Sequence, residues 1–69
     1  MPLTMVKAGE ISNIKKITGK DETKRFLANL GFVEGENITV VSEIAGNMII
    51  NIKDTRIALD RSMANRIIV

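Results

Sequence analysis

Nothing in this chain can staple it: its 69 residues include no cysteine and no histidine. Disulfides are therefore excluded, as are the thiolate and imidazole ligand sets of structural metal sites. A chain below roughly 70–80 residues has a core that rarely supplies more than about 3–5 kcal/mol, so it usually leans on such a staple. Here branched aliphatic packing must suffice. Hydrophobic residues make up 45% of the chain, eleven of them Ile, and Phe26 and Phe32 are the only aromatics, with Trp and Tyr absent.

The same absences remove most enzyme chemistry. Without His there is no general base near neutral pH at its unperturbed pKa, and without Cys there is no thiolate nucleophile. Carboxylates, lysines and hydroxyls remain, in a chain too short to build much of a substrate-enclosing cleft. No catalytic residue, cofactor site or metal site is expected. Ten basic and eight acidic groups leave a net charge of +2, spread as six and four over residues 1–35 and four and four over residues 36–69. That mixed surface is not an anion trap, and no nucleic-acid partner is expected. No apolar run is long enough to span a bilayer, and the start MPLTMVKAG has no signal-like apolar core, so a cytoplasmic location is expected.

Periodicity separates one helix from a series of strands. Residues 21–31, DETKRFLANLG, read as helix. Asp21 stands at the N-cap, Glu22 in the first turn, and Phe26, Leu27 and Leu30 on one stripe. Gly31 suits the left-handed position after the last turn, and Phe32 follows to fold back onto the helix. Residues 10–18 (EISNIKKIT) have Ile11, Ile14 and Ile17 at a spacing of three that suits a helix as well as a strand; the flanking Gly9 and Gly19 and the branched residues favour a strand with room for a bulge. Val33-Glu34-Gly35 is a turn. Residues 37–43 alternate, Ile38 and Val40 on one side, Thr39 and Val41 on the other. Gly46-Asn47, beside Ala45, marks a hairpin into residues 48–53, where Met48, Ile50 and Ile52 share a face. Asp54-Thr55 turns the chain into residues 56–60, with Ile57 and Leu59 inward. Asp60 or Ser62 opens a helical turn over 61–65, and Arg66 to Val69 close as a strand.

Five short strands and one short helix in a single domain, residues 1–69, predict a mostly β fold. Curling hides the one apolar face and limits open edges, which points to a small SH3-like β-barrel with the helix inserted after the first strand.

Four passages then carry a resemblance over essentially the whole chain: MPLTMVKAGE, LGFVEGENITVV, GNMIINIKDTRIALD and MANRIIV. Together they resemble the ferrous-iron transport A (FeoA) family, with its M-P-L start, L-G-x-x-x-G, the hairpin pattern G-N-x-I-x-x-x-V/I-K-x-x-R-x-A-L, and A-x-x-I-x-V at the end. The resemblance implies a small cytosolic SH3-like accessory or regulatory protein of bacterial ferrous iron uptake. It also implies a partner, the cytosolic, GTPase-containing part of a FeoB-type transporter, so that membrane contact is only indirect. The family is further associated with transition metal ions; without His and Cys, no specific ferrous site is expected in this chain. One departure is local: many members carry Pro-Leu-Gly-Asp-Pro where this chain has Ile44-Ala45-Gly46-Asn47-Met48.

Most conspicuous residues have a structural reading. Gly31, Gly35 and Gly46 belong to no phosphate-loop motif and suit turns and caps. Lys15, Lys16, Lys20, Lys24 and Arg25 form a charged face interrupted by Asp21 and Glu22, and single-strand binding wants aromatic platforms that two Phe committed to packing do not offer. The acidic residues match no cation-loop pattern. Ala58 and Ala64 suit close packing. The second hairpin is the exception. Ile44 and Ala45 sit beside a turn where polar residues are usual, and Val41 and Ile49 lie opposite the inward set. With Arg56, these residues form the candidate partner interface, for docking or self-association. The alternative reading, from another class, is a nucleic-acid-associated SH3-like barrel or a stand-alone relative of the regulatory domain of metal-dependent repressors.

Overall fold

Two-residue hairpins and one helix stop organise the molecule, whose computed structural model describes residues 1–69. After a 3-10 turn at Leu3–Met5 come β1 (Ile11–Asn13), β2 (Lys16–Ile17), α1 (Asp21–Asn29), β3 (Asn37–Ile44), β4 (Asn47–Ile52), β5 (Thr55–Asp60), α2 (Arg61–Ala64) and β6 (Ile67–Ile68). The four-stranded antiparallel sheet runs β1-β3-β4-β5, and β2 pairs with β6 in a second sheet. The fold is thus mostly β with a short inserted helix, as expected of an SH3-like chain, though with six strands rather than five.

The extra strand arises because residues 10–18 are not one strand. The chain breaks at Ile14, which is buried, and passes from one sheet to the other. Its backbone bonds there go elsewhere: the Ile14 N–H donates to the Glu36 carbonyl, and the Gly35 N–H donates to the Ile14 carbonyl. The bulge sits instead in β3, where the register with β4 shifts between Val40 and Ser42 and leaves Val41 as the additional residue.

Helix α1 begins at its expected cap rather than after it. Lys20 is the N-cap and makes no side-chain capping bond, so Asp21 is the first helical residue, acting with Glu22 on the helix dipole rather than as a cap. The helix also ends at Asn29, two residues short of the 21–31 span expected. Its C-terminus follows the expected chemistry. Gly31 has φ +104°, its N–H donates to Ala28, and the Phe32 N–H donates to Leu27, the bond pair of a Schellman ending. The inward stripe is Thr23–Leu27–Leu30, spaced i, i+4, i+7, with Leu27 buried and the other two half-buried. Phe26, about 100° around from Leu27, is therefore 48% exposed, while Phe32 is fully buried.

Both hairpin turns sit one residue earlier than the sequence suggested. Ile44 pairs with Asn47 and Ile52 with Thr55, so the loops are Ala45-Gly46 and Lys53-Asp54, and Asn47 and Thr55 open strands. Both loop residues have positive φ in each case: 51° and 82°, then 49° and 62°. This is the primed turn that matches strand twist. Ala45 is a poor residue for it, because a Cβ crowds the carbonyl in the left-handed region. Replacing it by Asn (Ala45→Asn) is expected to stabilise the chain by about 0.5–1 kcal/mol, read from urea unfolding, since Asn-Gly is the favoured loop pair. No change, or a loss, would mean the turn is not of this type.

The core joins both sheets, α1, α2 and the N-terminal turn: Leu3, Val6, Ile14, Leu27, Phe32, Ile38, Val40, Met48, Ile50, Ile52, Leu59, Ala64 and Ile67. Leu3 and Val6 entered no sequence-based element, yet they are buried, and the ends of the chain meet beside them. The Met1 ammonium donates to the Val69 carbonyl at 2.7 Å, the Val69 N–H donates to the Met1 carbonyl at 2.8 Å, and Pro2 bridges to Ile68. Asp60 caps α2, accepting from the Met63 N–H at 2.8 Å.

Candidate functional site

Strand alternation leaves one face of the four-stranded sheet away from the core, and register decides its content. Cross-strand partners share a face. Ile11, Thr39, Asn51 and Arg56 form one row; Val41 and Ser42, at the bulge, face Ile49, which faces Ala58; and Ile44, Asn47 and Asp60 form the third row. The inward rows are Val40–Ile50–Ile57 and Met48–Leu59.

The candidate residues fall on this outer face. Val41 and Ile49 adjoin at the bulge and are half-buried by each other and their neighbours. Ile44, near the hairpin tip, is 61% exposed, and Ala45 is exposed in the loop. Arg56 lies on the same face but two positions along β5 from Ala58, at the opposite end from the tip. No carboxylate pairs with Arg56. The two ion pairs are Lys53 with Glu36 at 3.7 Å and Arg61 with Glu43. Both are partly solvent-exposed and contribute little to stability.

Sequence reasoning missed two members of the face. Ile11 is 74% exposed beside Thr39, and its spacing with Ile14 and Ile17 assigned it to no face. Ala58 is exposed opposite Ile49 rather than packed inside, whereas Ala64 is fully buried. Alternation in β5, read outward from buried Leu59, would have located Ala58. Nothing local could place Ile11, because the break at Ile14 cancels the phase of the segment. The result is a surface on which Ile11, Val41, Ile44, Ile49 and Ala58 interrupt the polar residues Thr39, Ser42, Asn47 and Asn51.

Elsewhere the surface offers little chemistry. It has no pocket, and no three acidic side chains converge to hold a cation. Lys15, Lys16, Lys20, Lys24 and Arg25 are exposed along β2 and α1, with Phe26 as the one exposed aromatic near them.

A family model described as FeoA domain matches residues 1–69. No curated protein matches the chain by sequence. Among solved structures, an iron uptake regulatory protein (FeoA) superposes with TM-score 0.89 at 26% identity, covering 96% of this chain and 88% of that one. A FeoA of Stenotrophomonas maltophilia, complexed with zinc and described as a prokaryotic SH3 domain protein and candidate ferrous iron transport activating factor, gives TM-score 0.87 at 27% identity over 100% of this chain and 88% of that one. The zinc belongs to that protein: the donor set here, without His, Cys or clustered carboxylates, does not fit such an ion. A manganese-dependent transcriptional repressor shares the fold, with TM-score 0.87 at 20% identity over 97% of this chain but only 39% of its own.

Proposed function

The chain belongs to the FeoA domain family, associated with ferrous iron transport, and from that premise we propose that it is a non-enzymatic accessory protein of ferrous iron uptake. It works in the cytoplasm as one domain over residues 1–69, and docks on the cytosolic, GTPase-containing part of a FeoB-type transporter. The contact is the outer face of the four-stranded sheet, with Val41, Ile44, Ala45 and Ile49 as its apolar part and Arg56 as its charged margin. The observation that carries this reading is Ile44, a large aliphatic side chain left 61% exposed beside a tight turn. A lone exposed aliphatic is ordinary. One that shares a sheet face with Val41 and Ile49 supplies the desolvated centre that a protein contact needs.

Titrating the chain against the soluble domain of the transporter, at several salt concentrations, tests it. Saturable binding with a shallow salt dependence is expected, because apolar area and few charges carry the contact. No binding would overturn the reading. Binding instead to nucleic acid, with affinity falling steeply as salt rises, would establish the phosphate-neutralising alternative. That alternative has little to stand on here, since Phe26 alone is available as a stacking platform.

A further inference from the structure

Strand β5 is paired on one side only: β4 lies along it, and no other strand follows in the sheet. The hairpin fixes which backbone groups are left over. Ile52 and Thr55 close a two-residue loop, so the pairs Ile52–Thr55, Ile50–Ile57 and Met48–Leu59 exchange backbone bonds across the hairpin. The N–H groups of Arg56, Ala58 and Asp60, and the carbonyls of Arg56 and Ala58, therefore point outward from the sheet edge. The Asp60 carbonyl is directed instead into the first turn of α2.

The side chains along that edge read Arg56, Ile57, Ala58, Leu59, Asp60: positive, apolar, small, apolar, negative. This order is complementary to itself when reversed. In an antiparallel ladder centred on Ala58, Arg56 of one strand faces Asp60 of the other, Ile57 faces Leu59, and Ala58 faces Ala58. Every position meets a matching one. The outward backbone groups meet in the same register, giving four ladder bonds: two between the Ala58 residues, and two from Asp60 N–H groups to Arg56 carbonyls. Arg56, Ala58 and Asp60 are exposed and Ile57 is half-buried, so the ladder also covers apolar surface on the core side. The Asp60 carboxylate uses one oxygen to cap α2, leaving the other for the guanidinium.

We propose that two copies of this chain join edge to edge through β5, antiparallel about Ala58, to form a continuous eight-stranded sheet in a reversible dimer. The occupant is a second copy rather than a foreign strand because the charge order fits its own reverse. Charges on an edge usually deter pairing; here they deter every register but this one, since a slip of two residues sets Arg56 or Asp60 against Ala58. The dimer places Ile49, Ala58 and their counterparts in one line across the outer face. It does not depend on what that face binds.

Sedimentation velocity over a wide concentration range, at low and high salt, is the experiment. A monomer–dimer equilibrium that weakens as salt rises is expected. R56D sets like charges opposite each other twice and should weaken the dimer at least about tenfold. D60R does the same with positive charge, yet an equimolar mixture of R56D and D60R restores both attractive pairs and should form a heterodimer tighter than either homodimer. Because D60R also loses the α2 cap, A58P serves as an independent variant. It deletes an N–H that has no partner within the chain, which an edge strand tolerates, and should abolish the dimer with the fold intact. Concentration-dependent slowing of amide exchange at Ala58 and Asp60 should accompany dimerisation. A monomer at every concentration overturns the proposal, and so does a dimer whose affinity A58P leaves unchanged.

Discussion

Phe32→Ala is expected to leave the chain largely unfolded at 37 °C, the largest stability effect any single side chain here should have. Phe32 is fully buried, and it follows the Schellman ending that stops α1. Removing it loses the transfer free energy of the ring and opens a cavity in the shared core, because close-packed side chains relax only partly into the gap. Such truncations cost about 3–5 kcal/mol. The single core of a domain this small rarely supplies more than about 3–5 kcal/mol in total. No disulfide or metal compensates. Far-ultraviolet circular dichroism during urea or thermal unfolding reads the result. Phe26→Ala is the control: that ring is 48% exposed, and its loss should cost under about 1 kcal/mol. Similar losses for the two variants would mean that the core has been assigned to the wrong aromatic.

Ile44→Glu carries the largest expected effect on function. The side chain is 61% exposed at the hairpin end of β3, on the sheet face away from the core. A charge there stays solvated in the free protein, so the unfolding free energy should move by no more than about 0.5 kcal/mol. In a docked complex the same carboxylate would be buried among apolar groups without a partner. Central interface residues of this kind cost about 2 kcal/mol or more when disrupted, a loss of more than about tenfold in affinity for the transporter's soluble domain. Calorimetric titration and a parallel melt separate the two quantities. A melt that collapses would place Ile44 in the core, and unaltered affinity would move the docking surface elsewhere.

Much of the architecture was legible before any coordinates. The helix and its stop at Gly31, the alternation of Ile38 and Val40, the inward set Met48, Ile50 and Ile52, and the cap at Asp60 are all short-range chemistry. A left-handed glycine or a capping carboxylate needs only its immediate neighbours. The hairpins were found but displaced by one residue, since Gly46-Asn47 and Asp54-Thr55 carry the stronger turn composition while strand twist placed the loops at Ala45-Gly46 and Lys53-Asp54. Where a segment's partners lay far along the chain, composition was silent. Residues 10–18 divide because β1 pairs with β3 and β2 with β6, and the N-terminal Leu3 and Val6 become core as Met1 and Pro2 meet β6 and Val69.

The candidate interface divides along the same line. Val41 and Ile49 stood out because alternation put them opposite the buried set, and Ile44 because it sits beside a turn; that Ile44 joins their face is decided by the bulge at Val41, which reverses the phase of β3. That Ile11 shares their face and that β5 keeps an open edge follow from how strands far apart in the chain pair, whereas Ala58 and Arg56 take their places across a two-residue hairpin. Periodicity states which side of its own strand a residue takes. Only the register between strands states what lies next to it, because that is set by closing loops of many residues around one shared core.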